Sequence, residues 1–281
     1  GYECFFQHTG IYKGKLKRQL AAFRSSLIAA GLEDCPLLSG WDDAFAQLKR
    51  LIENGGRGKK VLFIDELPWM DTPKSSLVSE LENFWNAWAT ARVEKDIVLV
   101  VCGSATSWIT RKLLKNKGGL RGRLTEKMFL SPFTLRECEE YSKAVGLSFA
   151  RRDVMELYMV LGGIPYYWSF LQKGYSVAQN IDNLFFVDHA QLRDEFEALY
   201  HTIFKNPLGY LKVIECLGTR RMGLSREDIL SLSKITDGGT FSTILQELEQ
   251  CGFIRRFVPF GSGGNGALYQ LIDNYTLIYC H

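Results

Sequence analysis

The sequence predicts an α/β fold: a parallel-sheet core, then a helical segment, then a C-terminal segment of helices and a hairpin. Three observations predict it. Two short apolar runs, Val61-Leu62-Phe63-Ile64 and Ile97-Val98-Leu99-Val100-Val101, each lead into polar groups and are separated by a long amphipathic stretch. Such runs suit strands buried on both faces, and a helix between them makes a parallel crossover. From Thr134 the apolar spacing turns helical, and after Asn206-Pro207 it changes again.

The elements follow in order. Residues 2–6 read as a short strand with His8-Thr9-Gly10 as its exit. Leu16, Leu20, Phe23 and Leu27 lie at helical spacing over 15–30, and Gly31 ends that helix. Trp41, Phe45, Leu48 and Ile52 repeat the pattern, and Asn54-Gly55-Gly56-Arg57-Gly58 is a loop before the first apolar run. Residues 75–92 read as a long helix burying Leu77, Leu81, Phe84, Trp85 and Trp88. The second apolar run follows, then a short helix over 108–114 and a third strand over 127–130, stopped by Ser131-Pro132. Thr134 and Glu137 are spaced as a capping box, and Val154, Leu157, Tyr158 and Leu161 mark a helix that Gly162-Gly163-Ile164-Pro165 breaks. Beyond 207, helices are expected over 210–217, after Ser225 and over 240–250. A hairpin over 253–258 and 267–272 turns through Gly261-Ser262-Gly263-Gly264-Asn265-Gly266. Three helices followed by a hairpin is the order of a winged helix-turn-helix. The expected domains are therefore 1–132, 133–206 and 207–281.

Composition bounds the function. The 281 residues are 46% hydrophobic, enough for sizeable cores, and carry a net charge of +3, too mild to indicate a nucleic-acid binder by itself. Seven scattered cysteines with no C-x-x-C pair, and only four histidines, argue against a zinc site and for reduced thiols in the cytoplasm. No apolar run approaches a membrane span, and the start has no secretion-signal pattern. The first residue is Gly1, so the chain is read as beginning inside a longer protein.

Asp65 and Glu66 end the first apolar run, and Gly103-Ser104 follow the second. Parallel strands deliver functional groups at their carboxyl ends, so these groups can converge on one ligand. An aspartate in that place can hold Mg²⁺, and a glutamate after it can orient an attacking water. Ser104 suits either a phosphate sensor or the cap of the next helix. A phosphate cradle of the form G-x-x-x-x-G-K-[S/T] is absent. Gly10-Ile11-Tyr12-Lys13-Gly14-Lys15-Leu16 has one residue too few between its glycines, with Leu16 in place of the hydroxyl. Gly56-Arg57-Gly58-Lys59-Lys60 precedes a strand rather than a helix. Both read as structural, so these residues by themselves are expected to bind nucleotide poorly. Arg111, Lys112, Lys115, Lys117, Arg121, Arg123 and Lys127 face only Glu126 in sequence. They read mainly as a solvated loop, with a phosphate-facing patch or a charge-stabilising arginine as the alternatives. The outward positions of the 240–250 helix, Ser242, Thr243, Gln246, Glu247, Glu249 and Gln250, contain no cation. This favours a structural or regulatory winged helix over a DNA reader.

In their order these motifs resemble the STAND-like AAA+ ATPases of bacteria and archaea, in particular the AAA-family ATP-binding proteins of Bacteroides-type genomes. Val61–Glu66 resembles a Walker B strand, Val100–Ser104 a sensor-1 strand, and Asp65-Glu66-Leu67-Pro68-Trp69-Met70-Asp71 that family's wording. Gly122-Arg123 before Lys127–Phe133 resembles its G-R-strand-P segment, and Gly162-Gly163-Ile164-Pro165 its lid element. The resemblance implies a partial P-loop NTPase (AAA+) core without its Walker A segment, a helical lid and a C-terminal winged helix. It implies ATP and Mg²⁺ as cofactors, with Asp65 holding the metal and Glu66 activating water. Ser104 would sense the γ-phosphate, Arg123 would be a sensor or finger arginine, and Gly163 and Pro165 would lie at the adenine. It implies a switch driven by ATP, with a homo-oligomer or protein partner possible and DNA possible through the winged helix but not favoured. The other reading is a DNA-binding or regulatory winged-helix protein on a non-catalytic ATPase scaffold.

Overall fold

A computed structural model describes residues 4–104, 106–114, 120, 122–204, 206–260 and 266–280. The chain divides into two compact units, 1–127 and 128–281, each with its own core.

The first unit begins with β1 (Cys4–Thr9), α1 (Leu16–Ala29), α2 (Trp41–Asn54), β2 (Lys60–Asp65) and α3 (Leu67–Met70). It continues with α4 (Leu77–Asn83), β3 (Ile97–Val101) and α5 (Thr106–Ile109). The strands form one parallel sheet in the order β1-β2-β3, with Thr9 beside Asp65 and Ile64 beside Val101. That pairing carries β1 three residues past the expected 2–6. On α2 the buried positions Trp41, Ala44, Phe45, Leu48, Leu51 and Ile52 form one apolar stripe. Rings of Phe6, Phe23, Trp41, Phe45 and Phe84 pack in a chain beneath the sheet, 5.3 to 6.3 Å apart. Residues 75–92 are helical but not one α-helix. After α4 they widen into a π turn at Phe84–Trp88 and then tighten into a 3₁₀ turn at Ala89–Ala91. A π turn also follows α5, over Thr110–Leu114.

Two expectations need correction here. The apolar runs suggest strands buried on both faces. Among the described residues, Leu62 and Ile64 are fully buried, while on the other face Val98 and Val100 are 44% and 39% exposed. Among the described residues, the face carrying Leu62 and Ile64 is the more deeply buried one. The expected strand over 127–130 is not formed. Those residues pair with no strand, and Met128 and Leu130 are 81% and 92% exposed. A strand gains stability from a neighbour, and among the described residues these have none.

The second unit starts with α6 (Leu135–Ala144), α7 (Arg151–Leu161), α8 (Pro165–Trp168), α9 (Val177–Phe185) and α10 (Glu195–Ile203). Then come α11 (Leu208–Gly218), β4 (Leu224–Ser225), α12 (Arg226–Ser233), α13 (Gly239–Gln250), β5 (Ile254–Phe257), β6 (Leu268–Leu271) and α14 (Asn274–Tyr279). The capping box forms as the sequence predicts. The Thr134 hydroxyl accepts from Glu137 N–H, and the Glu137 carboxylate accepts from Thr134 N–H at 2.7 Å. β4, β6 and β5 form a small antiparallel sheet behind α11–α13, so the expected helices and hairpin are all present. The hairpin turn over 261–265 lies outside the described residues. One core runs from Cys138 to Tyr275 and takes side chains from both sides of Asn206-Pro207, among them Trp168, Tyr200, Val213 and Phe241. α14, which has no distinct sequence signal, ties the ends of this unit together. Asn274 Nδ2 donates to Tyr158 O at 2.8 Å, and the buried Tyr275 hydroxyl donates to Leu192 O at 2.8 Å.

Among the described residues no helix is long and apolar enough to cross a membrane.

Candidate functional site

The carboxyl edge of the parallel sheet brings the sequence-predicted acids and serine together. Cys102 N–H donates to Ile64 O at 3.0 Å, and Leu67 N–H donates to Cys102 O at 3.0 Å. These bonds continue the β2–β3 pairing beyond the strands and set Glu66 opposite Ser104. The backbone at Glu66 is left-handed, φ 48° and ψ 45°, a costly conformation for a residue with a side chain. It turns the chain sharply from strand into α3. The Glu66 carboxylate then accepts from Ser104 N–H at 3.2 Å and from the Ser104 hydroxyl at 3.1 Å. Gly103 makes the close approach possible, since a Cβ there would lie 2.4 Å from Pro68 Cδ.

Asp65, one residue earlier, accepts Glu66 N–H at 2.9 Å and the Cys102 thiol at 2.7 Å, both on Oδ1. Burial pushes the Glu66 carboxyl above its ordinary range, and the charge of Asp65 pushes the same way, while the Ser104 bonds oppose both. Burial, with Asp65 adding to it, pushes the Cys102 thiol up to about 11, so it is a neutral donor here rather than a thiolate. Among the described residues Asp65 Oδ2 has no hydrogen-bond partner, and no group of three or more His, Cys, Asp or Glu could hold a metal ion by itself. One carboxylate beside a glutamate and a hydroxyl is a hard oxygen set. It fits Mg²⁺ that keeps water or phosphate oxygens for the rest of its shell.

The two look-alike phosphate loops have other work. In the first, the amide of buried Gln19 accepts from Ile11 N–H at 3.0 Å and donates to Ile11 O at 2.7 Å and to Trp69 O at 2.8 Å. Gly14 N–H donates to Ile11 O at 3.0 Å. Two of this loop's backbone donors, at Ile11 and Gly14, are thus already engaged. In the second, Lys60 is buried at the opposite end of β2. Its ammonium donates to Gly56 O, Gly58 O and Asp96 Oδ2 at 2.8, 3.1 and 3.0 Å.

Of the remaining predicted residues, Arg123 belongs to the first unit. It is exposed, and its N–H closes a turn on Leu120 O. Among the described residues its side chain makes no bond to the Asp65–Glu66–Ser104 cluster. Lys115, Lys117 and Arg121 lie outside the described residues. Gly163 and Pro165 are in the second unit. Phe133 N–H donates to Gly163 O at 2.7 Å, and a Cβ on Gly163 would fall 1.9 Å from Phe133 O. Pro165 is the first residue of α8, where its missing N–H costs nothing.

Three contacts escaped the sequence reading. They are the Gln19 clamp, the Cys102–Asp65 bond, and the bond from Trp108 Nε1 to Asp71 Oδ2 at 2.9 Å. The second follows from the parallel register alone, because Ile64 pairs with Val101 and so sets Cys102 beside Asp65. The other two join distant loops and leave no local signal.

No family model and no curated protein matches the sequence. Among solved structures, the chain is similar to a Walker-type ATPase of Pyrococcus abyssi. The TM-score is 0.65 at 13% identity, over 98% of this chain and 83% of that one. It also aligns with the ORC2 protein of Aeropyrum pernix, solved in ADPNP and ADP complexes, with a TM-score of 0.42 at 12% identity. At this identity the first likeness establishes the fold alone, an α/β fold with a parallel sheet shared with that ATPase.

Proposed function

We propose that this chain is part of an ATP-binding and ATP-hydrolysing switch of the STAND-like AAA+ type. One observation carries the reading: two adjacent parallel strands end in Asp65-Glu66 and Ser104, and the glutamate and serine are bonded to each other. Asp65 would hold Mg²⁺, which when bound neutralises charge on the transferred phosphate. Glu66 would orient the attacking water. Burial raises its pKa, a shift in the direction that suits a base. Ser104 would report the γ-phosphate. Its hydroxyl has one proton to donate, so a bond to phosphate and the present bond to Glu66 exclude each other. Arg123 would supply positive charge to the transferred group, in cis or from a neighbouring copy. Gly163 and Pro165 would contact the adenine from a helical lid over 133–206, and 207–281 would be a winged helix that moves with it. The phosphate cradle is the part of the site these 281 residues do not spell out.

The test is ATP turnover in a form that carries a phosphate cradle. Glu66→Gln should keep ATP binding and lose turnover by about a hundredfold or more. Normal turnover in that variant removes Glu66 as the residue that activates water. The 281 residues alone should bind ATP weakly, and micromolar affinity would overturn the reading of both glycine loops as structural. For the winged helix, a regulatory role is favoured over a reader of DNA. The exposed residues of α13 include Ser242, Thr243, Gln246 and Glu249, and Arg226 beside them is paired with Asp237 and Ser242.

A further inference from the structure

We propose that the turn leading into α1, residues 12–18, is a binding surface for single-stranded nucleic acid. The turn is built, not slack. Gln19, fully buried, holds it from inside through Ile11 N–H, Ile11 O and Gly14 O, and ties it to Trp69 O on the neighbouring loop. Lys13 sits at φ 53°, a left-handed conformation that a lysine adopts only when its surroundings impose it. The result is that Tyr12, Lys13, Lys15, Lys17 and Arg18 are all exposed along one short arc.

The charge on this arc is one-sided. No Asp or Glu occurs between Glu3 and Glu33, while Lys13, Lys15, Lys17, Arg18 and Arg24 do. Among the described residues no ion pair engages Lys13, Lys15, Lys17 or Arg18. The acids on the neighbouring loop are committed elsewhere, Glu66 to Ser104 and Asp71 to Trp108. A whole-chain charge of +3 therefore conceals a cationic segment that carries no acid of its own between residues 4 and 32. Several exposed cations on one short segment attract the phosphates of a nucleic-acid backbone.

Aromatic rings interleave with the cations. Tyr12 is 37% exposed and meets Trp69 edge to face at 5.4 Å, and the Lys13 ammonium lies 4.9 Å from the Tyr12 ring centre. Cations beside aromatic rings are the chemistry that takes a strand with unpaired bases: phosphates on the cations and a base on a ring. A duplex hides its base faces and would use the cations alone. The winged-helix segment offers no comparable surface on α13, whose exposed positions lack free cations.

Fluorescence anisotropy with a labelled oligothymidylate of about 20 nucleotides tests the assignment on the whole 281-residue chain. The wild type should bind it more tightly than a duplex of the same length. Its affinity should fall steeply between about 50 and about 200 mM salt. Lys13→Glu/Lys15→Glu/Lys17→Glu/Arg18→Glu should weaken binding by tenfold or more and flatten the log–log salt slope by about 3, at ~0.7 per phosphate contact on a single strand. Tyr12→Ala should weaken binding at least about fivefold with the slope unchanged. Arg255→Glu/Arg256→Glu, on the hairpin strand β5, should have no effect. All these side chains except Tyr12 lie clear of the core, so thermal melting of the charge variants should match the wild type. Failure to bind at low salt, equal affinity for duplex, or loss of binding in the β5 variant but not the turn variant would each overturn the proposal. Retention of ATP turnover when the same substitutions are placed in a form that carries a phosphate cradle keeps this outcome separate from that of the ATPase reading.

Discussion

His8 is the residue on which the pH dependence of this fold turns. It is 3% exposed on β1, its Nδ1 lies 2.9 Å from Ser26 Oγ, and its ring packs against Phe23 at 4.9 Å. Among the described residues its buried Nε2 has no hydrogen-bond partner, and burial lowers its pKa from 6.5 to about 4. The fold therefore holds the neutral ring, and the unfolded chain takes up the proton first as pH falls. The stability involved is fully present above pH 6.5 and is lost progressively down to about pH 4, reaching about 3 kcal/mol. Melting between pH 7 and 4.5 should show this loss, and His8→Leu should flatten that part of the profile. An unchanged profile in the variant would remove His8 as its source. The second residue-scale feature is Asp96, where two cations meet one buried carboxylate. Arg92 Nε and Lys60 Nζ donate to it at 2.9 and 3.0 Å, and those bonds, Arg92 first, hold its carboxyl far below the usual range. With Lys60 3% and Asp96 7% exposed at their side chains, Asp96→Asn leaves a buried ammonium without its counter-charge. Denaturant unfolding should show a loss of about 3 kcal/mol or more. A loss no larger than that of an exposed pair would mean that water reaches the site.

At the scale of elements, the sheet edge and the loops that meet it behave as one assembly. β2 and β3 carry the candidate acids and serine, and Gln19 of α1 fastens the turn after β1 to the loop after β2. Gln19→Leu keeps the helix and its buried volume but leaves Ile11 N–H and Trp69 O without that partner. It should destabilise the first unit by about 2 kcal/mol. It should also loosen the 12–18 arc, which hydrogen exchange at Tyr12–Gly14 would detect as faster exchange. Gly163 is the corresponding point of close backbone approach in the second unit. A methyl group there would strike the Phe133 carbonyl, so Gly163→Ala should lower that unit's melting temperature by several degrees. Most elements were legible because their signals are local. The α2 stripe, the Thr134–Glu137 capping box and the Gly162 stop all act within a few residues. The strand expected over 127–130 failed for the opposite reason. Its apolar residues have strand-like character, but pairing requires a neighbour that sequence pattern cannot supply.

At the scale of the whole molecule, two separate cores predict two independently folding units. Residues 128–281 expressed alone should unfold cooperatively, with the near-ultraviolet dichroism of packed Trp168, Tyr200 and Tyr275. A piece cut at residue 206 should not, because the cut divides one core. Folding of 133–206 by itself would show that the helices before and after Asn206-Pro207 are separate domains after all. The sequence by itself determined the α/β class, the order of nearly every element, and the placement of Asp65, Glu66 and Ser104 at strand ends, since each depends on local periodicity or on a short motif. Tertiary structure alone decided which sheet face is covered, that Glu66 and Ser104 bond to each other, that Gln19 locks the turn before α1, and that one core spans 138–275. These depend on contacts between residues tens of positions apart, where the energy lies in geometry and burial and no neighbouring residue records it.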